Sequence, residues 1–472
     1  MSMSRSCHSL LASAALVTAC LSADQLQAQI VCGARGPDLV IGEVGGGGGI
    51  ANYNALNGVD AVSLGDVLCN VGDATILMQA VTPRHPIVTT NVYRMRTVGG
   101  ATRFEQIGMG WAFHTIFALS GTFCCTQCTA TDGSRLGIGC SSSDTATIMG
   151  IASALGPRYQ VNASTGVFPF PAANPPVTGA NARRVQLALS DVEPALNVGA
   201  TYTAEMIGLS PDESAAGNQL NNASYRPVSF ASSTPVAGVN ISFAGPSTAG
   251  RPALAAWQAA DPGVSMVNVD VPGDGRFVIA AKATDLGNGR WHYEYAVMNL
   301  TSHRSGQSLR IPLPAGSDAL NIGFHDISYH DGDGNGNLNF DGTDWAASVT
   351  PGADIVWATG TFDANPSSNA LRWGTLYNFR FDSATPPVEG AVELALFRPG
   401  TPDSVSIPGL PVPGGTPPCP ADWNNSGLVD SQDFFDYLGA FFTASMTADF
   451  NHDGFVNSQD FFDFLAAFFA GC

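Results

Sequence analysis

Two twelve-residue stretches near the end of the chain carry oxygen-bearing side chains at alternating positions. The first runs Asp422-Trp423-Asn424-Asn425-Ser426-Gly427-Leu428-Val429-Asp430-Ser431-Gln432-Asp433, and the second Asp449-Phe450-Asn451-His452-Asp453-Gly454-Phe455-Val456-Asn457-Ser458-Gln459-Asp460. Oxygens stand at positions 1, 3, 5, 9 and 12, a glycine at 6 permits a sharp turn, and position 7 offers its main-chain carbonyl. Calcium is a hard cation that takes about six to eight oxygens, which is the chemistry this spacing suits. The expected ligands are Asp422, Asn424, Ser426, Leu428, Asp430 and Asp433 in one loop, and Asp449, Asn451, Asp453, Phe455, Asn457 and Asp460 in the other. Carboxylates crowded at these intervals repel one another unless a cation sits among them.

Other clusters are less complete. Asp331, Asp333, Asn335 and Asn337 begin a similar pattern, but Gly342 falls where the closing carboxylate belongs. Residues 331–344 therefore read either as a third calcium loop, closed by Asp341 or Asp344, or as a solvated Asx-rich turn. His325 and His330 lie nearby and read as polar loop residues rather than metal or acid-base groups. Lys282 is the only lysine and sits in the apolar run Phe277-Val278-Ile279-Ala280-Ala281, which excludes a Walker A loop and a Schiff-base amine. The eight glutamates, Glu43, Glu105, Glu193, Glu205, Glu213, Glu294, Glu389 and Glu393, form no motif, and no catalytic residue is assigned.

Each complete loop runs into one helix, with Phe434, Leu438, Phe441 and Phe442 spaced along a single face. Ala421–Phe442 and Ala448–Phe469 agree at 15 of 22 positions with an offset of 27, so the unit is a duplication. Residues 419–472 hold eight aspartates, no lysine or arginine, and 11 of the 26 phenylalanines, which sets this segment apart from the rest of the chain.

This duplicated, EF-hand-like loop-helix unit resembles a type I dockerin, in the bacterial variant that ends in Gly-Cys. Asp at position 12, valine at position 8 and the twofold repeat carry the resemblance, which covers residues 419–472 alone. It implies two bound calcium ions and a cohesin-like protein domain as partner. By the same resemblance Ser431, Gln432, Ser458 and Gln459 contact that partner, and Cys419 pairs with Cys472. A disulfide closing so long a loop adds about 4 kcal/mol on the chain-entropy account.

Upstream, Gly and Pro punctuate short β-branched and aromatic runs, an all-β signature. In Trp291-His292-Tyr293-Glu294-Tyr295-Ala296-Val297 the alternate residues form one apolar face, the mark of a half-buried strand. The fold expected is mainly β: one or two β-sandwich-like domains followed by a small all-α duplicated loop-helix module. Residues 30–250 hold six of the eight cysteines outside the leader and form a cysteine-containing β-rich domain, with a β-sandwich-like domain at 251–398. Residues 399–418, with seven prolines and four glycines, read as an extended linker, and 419–472 as the module.

Residues 1–29 have the basic start, apolar stretch and small-residue end of a secretory signal peptide, with lipoprotein anchoring at Cys20 as the alternative. Cys32, Cys69, Cys124, Cys125, Cys128 and Cys140 are then disulfide candidates, since an exported chain favours disulfides over a zinc site at the Cys125/Cys128/Cys140 cluster. No later stretch is long and apolar enough for a transmembrane segment. A net charge of −19 excludes a nucleic-acid binder with a broad basic surface. The chain thus reads as a secreted or cell-surface, non-catalytic β-rich protein held in an extracellular assembly by its C-terminal module. The alternative is a carbohydrate-active enzyme of glycoside-hydrolase type, or a polysaccharide-binding component of polysaccharide catabolism.

Overall fold

The computed structural model describes residues 30–471 except 173–178, 180, 235–237, 288, 328–339, 415–418, 425, 427 and 452. The leader with Cys20, the partial loop Asp331, Asp333, Asn335 and Asn337, His330, and Cys472 therefore lie outside the described residues. The rest is mainly β, with several sheets and a small helical region at the C-terminus.

The upstream unit is organised around long strands whose side chains are almost all enclosed. Ile87–Val98 pairs on one side with Thr201–Leu209 and on the other with Ala101–Met109, and the sheet continues through Ala223–Thr234 to Gly238–Phe243. The Ile87–Val98 hairpin turns on Gly99 and Gly100, with φ of 58° and 87°. Positive φ at both central residues of a two-residue hairpin turn is what glycine permits without strain. Two three-stranded sheets, Leu39–Val44, Asp66–Asn70 and Ser141–Asp144 in one and Val185–Ala188, Val59–Leu64 and Ile50–Leu56 in the other, and the short pair Ile76–Leu77 with Arg135–Leu136 complete the unit.

Three disulfides staple this unit: Cys32–Cys125, Cys69–Cys124 and Cys128–Cys140. The clustered cysteines are thus cross-links rather than zinc ligands. The pairs span 93, 55 and 12 residues, and closing the longest restricts the unfolded chain by about 4 to 5 kcal/mol on the chain-entropy account. They are consistent with an oxidising environment.

The downstream unit has no disulfide among its described residues and is built from two antiparallel five-stranded sheets. One contains, in order, Ser265–Asp270, Arg276–Asp285, Trp291–Asn299, Leu376–Ser383 and Leu320–His325. The other contains Ala346–Thr350, Asp354–Ala358, Gly306–Pro312, Pro387–Leu396 and Ser404–Pro413. Tyr293, Tyr295, Val297, Phe379 and Phe381 from the first meet Leu309, Trp357, Leu394 and Ile407 from the second in one core. The alternation read in residues 291–297 is therefore a core face, with Tyr293 stacked on Phe381 at 4.9 Å.

One expectation is corrected here. The segment read as a Pro/Gly linker contains the strand Ser404–Pro413, which pairs along the whole of Pro387–Leu396. Prolines cannot donate to a ladder, but this strand is the sheet's edge and has one unpaired side, where proline is tolerated. Val405, Ile407, Leu410 and Val412 are buried. The extra residue between the two pairs is Gly409 at φ 82°, a bulge that restores the inward alternation.

The two units share no sheet but are joined by a buried seam. Phe104, Tyr93 and Ile207 from upstream pack with Trp257, Val278, Ala280 and Met298. Gln106 accepts from the Leu376 N–H at 2.8 Å and donates to the Gly374 carbonyl at 3.2 Å, and Asn378 donates to the Phe104 carbonyl at 2.8 Å. Arg103 Nε donates to both carboxylate oxygens of Glu294, at 3.0 and 3.1 Å. Paired and nearly unexposed, these charges tie the units together through a water-poor region.

Candidate functional site

The duplicated segment folds as two helices, Ser431–Phe442 and Ser458–Ala470, each entered through its oxygen-rich loop. Asp430 caps the first helix by accepting from the Gln432 N–H at 2.8 Å, while Asp433 reaches back to the Asp430 N–H at 2.9 Å. In the second helix Asn457 accepts from the Gln459 N–H at 2.8 Å, and Asp460 accepts from the Asn457 N–H at 2.8 Å. Both are capping boxes, which satisfy the donors that a helix start leaves without partners.

The loop oxygens are engaged in the same way. Ser426 N–H donates to Asp422 at 2.8 Å and to Asn424 at 2.9 Å. Its counterpart, the Asp453 N–H, donates to Asp449 at 3.1 Å and to Asn451 at 3.0 Å. Asp433 also accepts from the Asn424 N–H, and Asp460 from the Phe450 and Asn451 N–H groups. The N–H bonds from Asp430 and Asn424 hold the Asp433 carboxyl below its ordinary range. Burial opposes ionisation of Asp460, and its three backbone bonds outweigh that and lower it as well.

This corrects the calcium expectation. Among the described residues no group of three or more His, Cys, Asp or Glu side chains comes together to hold a metal ion. The alternating oxygens that the spacing suggested as ligands instead accept from backbone N–H groups in turns and caps. Asx turns and calcium loops demand the same short oxygen side chains, so the pattern does not separate them.

A symmetric aromatic core holds the helices together. Tyr437 and Phe464 stack with centroids 3.9 Å apart and planes 9° apart, and both are fully buried. Trp423 stands edge-on to Tyr437 at 4.9 Å, and Phe450 edge-on to Phe464 at 5.6 Å. Phe434 meets Phe468, and Phe441 meets Phe461, so the start of each helix packs against the end of the other. Of the four residues read as one helical face, Phe442 is 79 % exposed, and Tyr437 is the enclosed anchor of the helix.

Phe442 belongs to a second, outward stripe. Gln432, Phe435, Gly439 and Phe442 are exposed along the first helix, and Gln459, Phe462, Ala466 and Phe469 repeat them along the second. Leu428 and Phe455 add an exposed apolar side chain from each loop. Ser431, Gln432, Ser458 and Gln459, expected from the resemblance as partner-contacting, lie at the exposed start of each stripe. Gln432 and Gln459 are oriented by Asp436 and Asp463, at 2.8 and 2.9 Å. The phenylalanine part of the stripe was missed in the sequence. Its signal was the surplus: 11 phenylalanines in 54 residues exceed what one helix–helix seam can enclose. Cys419 is disulfide-bonded, and its expected partner Cys472 is outside the described residues.

Elsewhere Glu105, Glu205 and Glu213 are tied to structural partners. Glu105 meets Arg94 and Arg96 at 2.8 and 2.7 Å, and Glu205 accepts from Tyr93, Asn91 and the Ala253 N–H. Glu213 accepts from the Leu39 N–H and Asn222. His325 lies 3.7 Å from Glu105 rather than in a metal cluster. No helix among the described residues is long and apolar enough to cross a membrane. The chain matches no protein-family model and no curated protein.

Proposed function

We propose that this chain is an exported, non-catalytic β-rich protein that is attached to an extracellular partner through its C-terminal helical module. The observation that carries the reading is the outward stripe of Phe435, Phe442, Phe462 and Phe469, repeated at the same offset as the buried core. Exposed apolar patches of this kind mark interaction surfaces in soluble proteins. The partner we infer is a cohesin-like β-domain offering apolar pockets rimmed by Lys or Arg. Residues 419–472 carry eight aspartates and no counter-charge, so charge complementarity favours a cationic rim and disfavours a second copy of the module.

Interferometry of the full chain against a panel of immobilised cohesin-type domains tests the reading. Saturable binding, weakened by Gln432→Arg with Gln459→Arg, is expected. Failure of every panel member to bind, together with concentration-dependent self-association, contradicts it.

A further inference from the structure

The edge strands of the downstream sandwich are not alike. Ser404–Pro413 is blunted by Pro408, Pro411 and Pro413 and by its bulge at Gly409. Ser265–Asp270 ends in the exposed Asp270, paired with Arg276, and Leu320–His325 is broken by a bulge and by Asn321 at φ 49°. Charge, proline and bulges are the usual guards against strand addition at an open edge. Ala346–Thr350 has none of them. Its residues, Ala346-Ala347-Ser348-Val349-Thr350, pair without interruption to Asp354–Ala358, and every one of them is exposed.

The free main-chain groups of this edge follow from the ladder. The hairpin closes with the Ala353 N–H donating to the Thr350 carbonyl at 3.0 Å, and Ile355 and Trp357 pair on their other side with Ile311 and Leu309. Alternation along an antiparallel ladder then gives Ala346, Ser348 and Thr350 the bonds to Asp354–Ala358 and turns the N–H and C=O groups of Ala347 and Val349 outward. Those outward groups meet no partner among the described residues. Val349 lies opposite the fully buried Ile355, yet is itself 39 % exposed. The facing margin of the other sheet approaches at Phe324, stacked on Trp345 with centroids 5.9 Å apart, and leaves Ile322 37 % exposed. Apolar surface is thus uncovered on both margins. Asp341 and Asp344, both exposed, lead directly into the strand. Asp341 accepts from the Thr343 N–H and hydroxyl, at 2.9 and 2.6 Å, and neither carboxylate has a cationic partner among the described residues.

We propose that Ala346–Thr350 is a docking edge for an extended segment of another protein, which adds a strand to the sheet through the main-chain groups of Ala347 and Val349. In this mode of recognition main-chain bonds supply affinity and alternate side chains supply specificity. The segment's inward side chains are apolar and β-branched, to cover Val349, and it carries Lys or Arg at the end beside Asp341 and Asp344. A second copy of this chain fits poorly, because each copy carries a net charge of −19. The edge belongs to the downstream unit and does not depend on the C-terminal docking stripe.

Amide hydrogen exchange of the full chain tests this with a short probe peptide that alternates valine and threonine between terminal lysines, and with a control peptide ending in glutamates. At saturating lysine-ended peptide the Ala347 and Val349 amides, unprotected in the free chain, should exchange at least about tenfold more slowly, while Ser348 changes little. The glutamate-ended peptide should protect them less. Val349→Pro deletes one outward N–H, leaves the ladder to Asp354–Ala358 intact, and should weaken peptide binding by about tenfold. Should that variant misfold, slowed exchange at Ala347 in the parent carries the test. Absence of protection with the lysine-ended peptide overturns the docking edge. Equal protection by the glutamate-ended peptide overturns the cationic partner, and protection that grows with chain concentration in the absence of peptide gives the edge to a second copy instead.

Discussion

The downstream β unit and the C-terminal module are both rich in aromatic side chains and place them in opposite ways. Tyr293, Tyr295, Trp357, Tyr377, Phe379 and Phe381 are wholly enclosed between two sheets. Phe435, Phe442, Phe455, Phe462 and Phe469 project into solvent. Two facing sheets cover each other's apolar faces, whereas two short helices share one seam and leave their outer faces uncovered. Aromatic content by itself therefore says nothing about stability. What matters is how many layers are available to cover it, and in the module the remainder is left facing solvent.

The acids divide similarly. In the upstream unit Asp66 and Asp144 face each other across paired strands, both nearly unexposed, and an oxygen of each has no hydrogen-bond partner among the described residues. Burial, followed by the neighbouring Asp144 charge, pushes Asp66 well above its ordinary range, and burial raises Asp144 to about 6. In the module Asp433 and Asp460 are lowered instead, because backbone N–H groups surround them. One pair disfavours charge and the other requires it.

The contrast between covered and uncovered aromatics is broken most severely by Trp357→Ala. Trp357 is fully buried in the downstream core, and its truncation should cost about 3 to 5 kcal/mol in urea unfolding. An effect of the next size comes from Asp144. Its raised carboxyl lets the folded chain keep a proton that the unfolded chain releases above 3.8. The stability from that proton is complete below 3.8 and lost as pH rises through about 6. Asp144→Asn should therefore raise the stability at neutral pH by on the order of 2 kcal/mol and leave it nearly unchanged in acid, as read by thermal midpoints across pH. The module should respond with the opposite sign. Asp433 and Asp460 contribute above the ordinary carboxylate range, and their contribution is lost as pH falls through their lowered values, which the helical band in far-UV circular dichroism will report.

Asp430→Ala removes one helix cap and should cost about 1 kcal/mol, visible as a lower midpoint of the same helical band. The smallest effect on stability belongs to Phe442→Ser. At 79 % exposure the side chain leaves little to lose, and the change should stay within about 0.5 kcal/mol.

Much of the fold was legible because its signals are local. Alternation in Trp291–Val297 and the repeat in residues 421–469 depend on periods of two and of 3.6 that survive in the sequence. The edge strand Ser404–Pro413 was hidden because its prolines and a bulge at Gly409 interrupt the alternation, although Val405, Ile407, Leu410 and Val412 carry it. The pairing of Cys32 with Cys125 and of Cys69 with Cys124 rests on contacts far apart in the chain. No local pattern encodes them. For the candidate site, the capping residues were visible but open to two readings, since turns and ion loops recruit the same side chains. The cleft lined by Arg158, Trp373 and Arg398 was invisible, because these residues meet only after two units pack.

The uncovered phenylalanines are proposed to form an interface and not a second core. The most direct measurement is the affinity of the full chain for the cohesin-type domain proposed as its partner, before and after Phe435→Ser, Phe442→Ser, Phe462→Ser and Phe469→Ser are introduced together, with the helical band recorded alongside. An unchanged helical band and an affinity reduced by at least about a hundredfold are expected, as when apolar anchors are removed from an interface centre. Loss of the helices with these four changes, or full affinity retained without them, would contradict the interface reading.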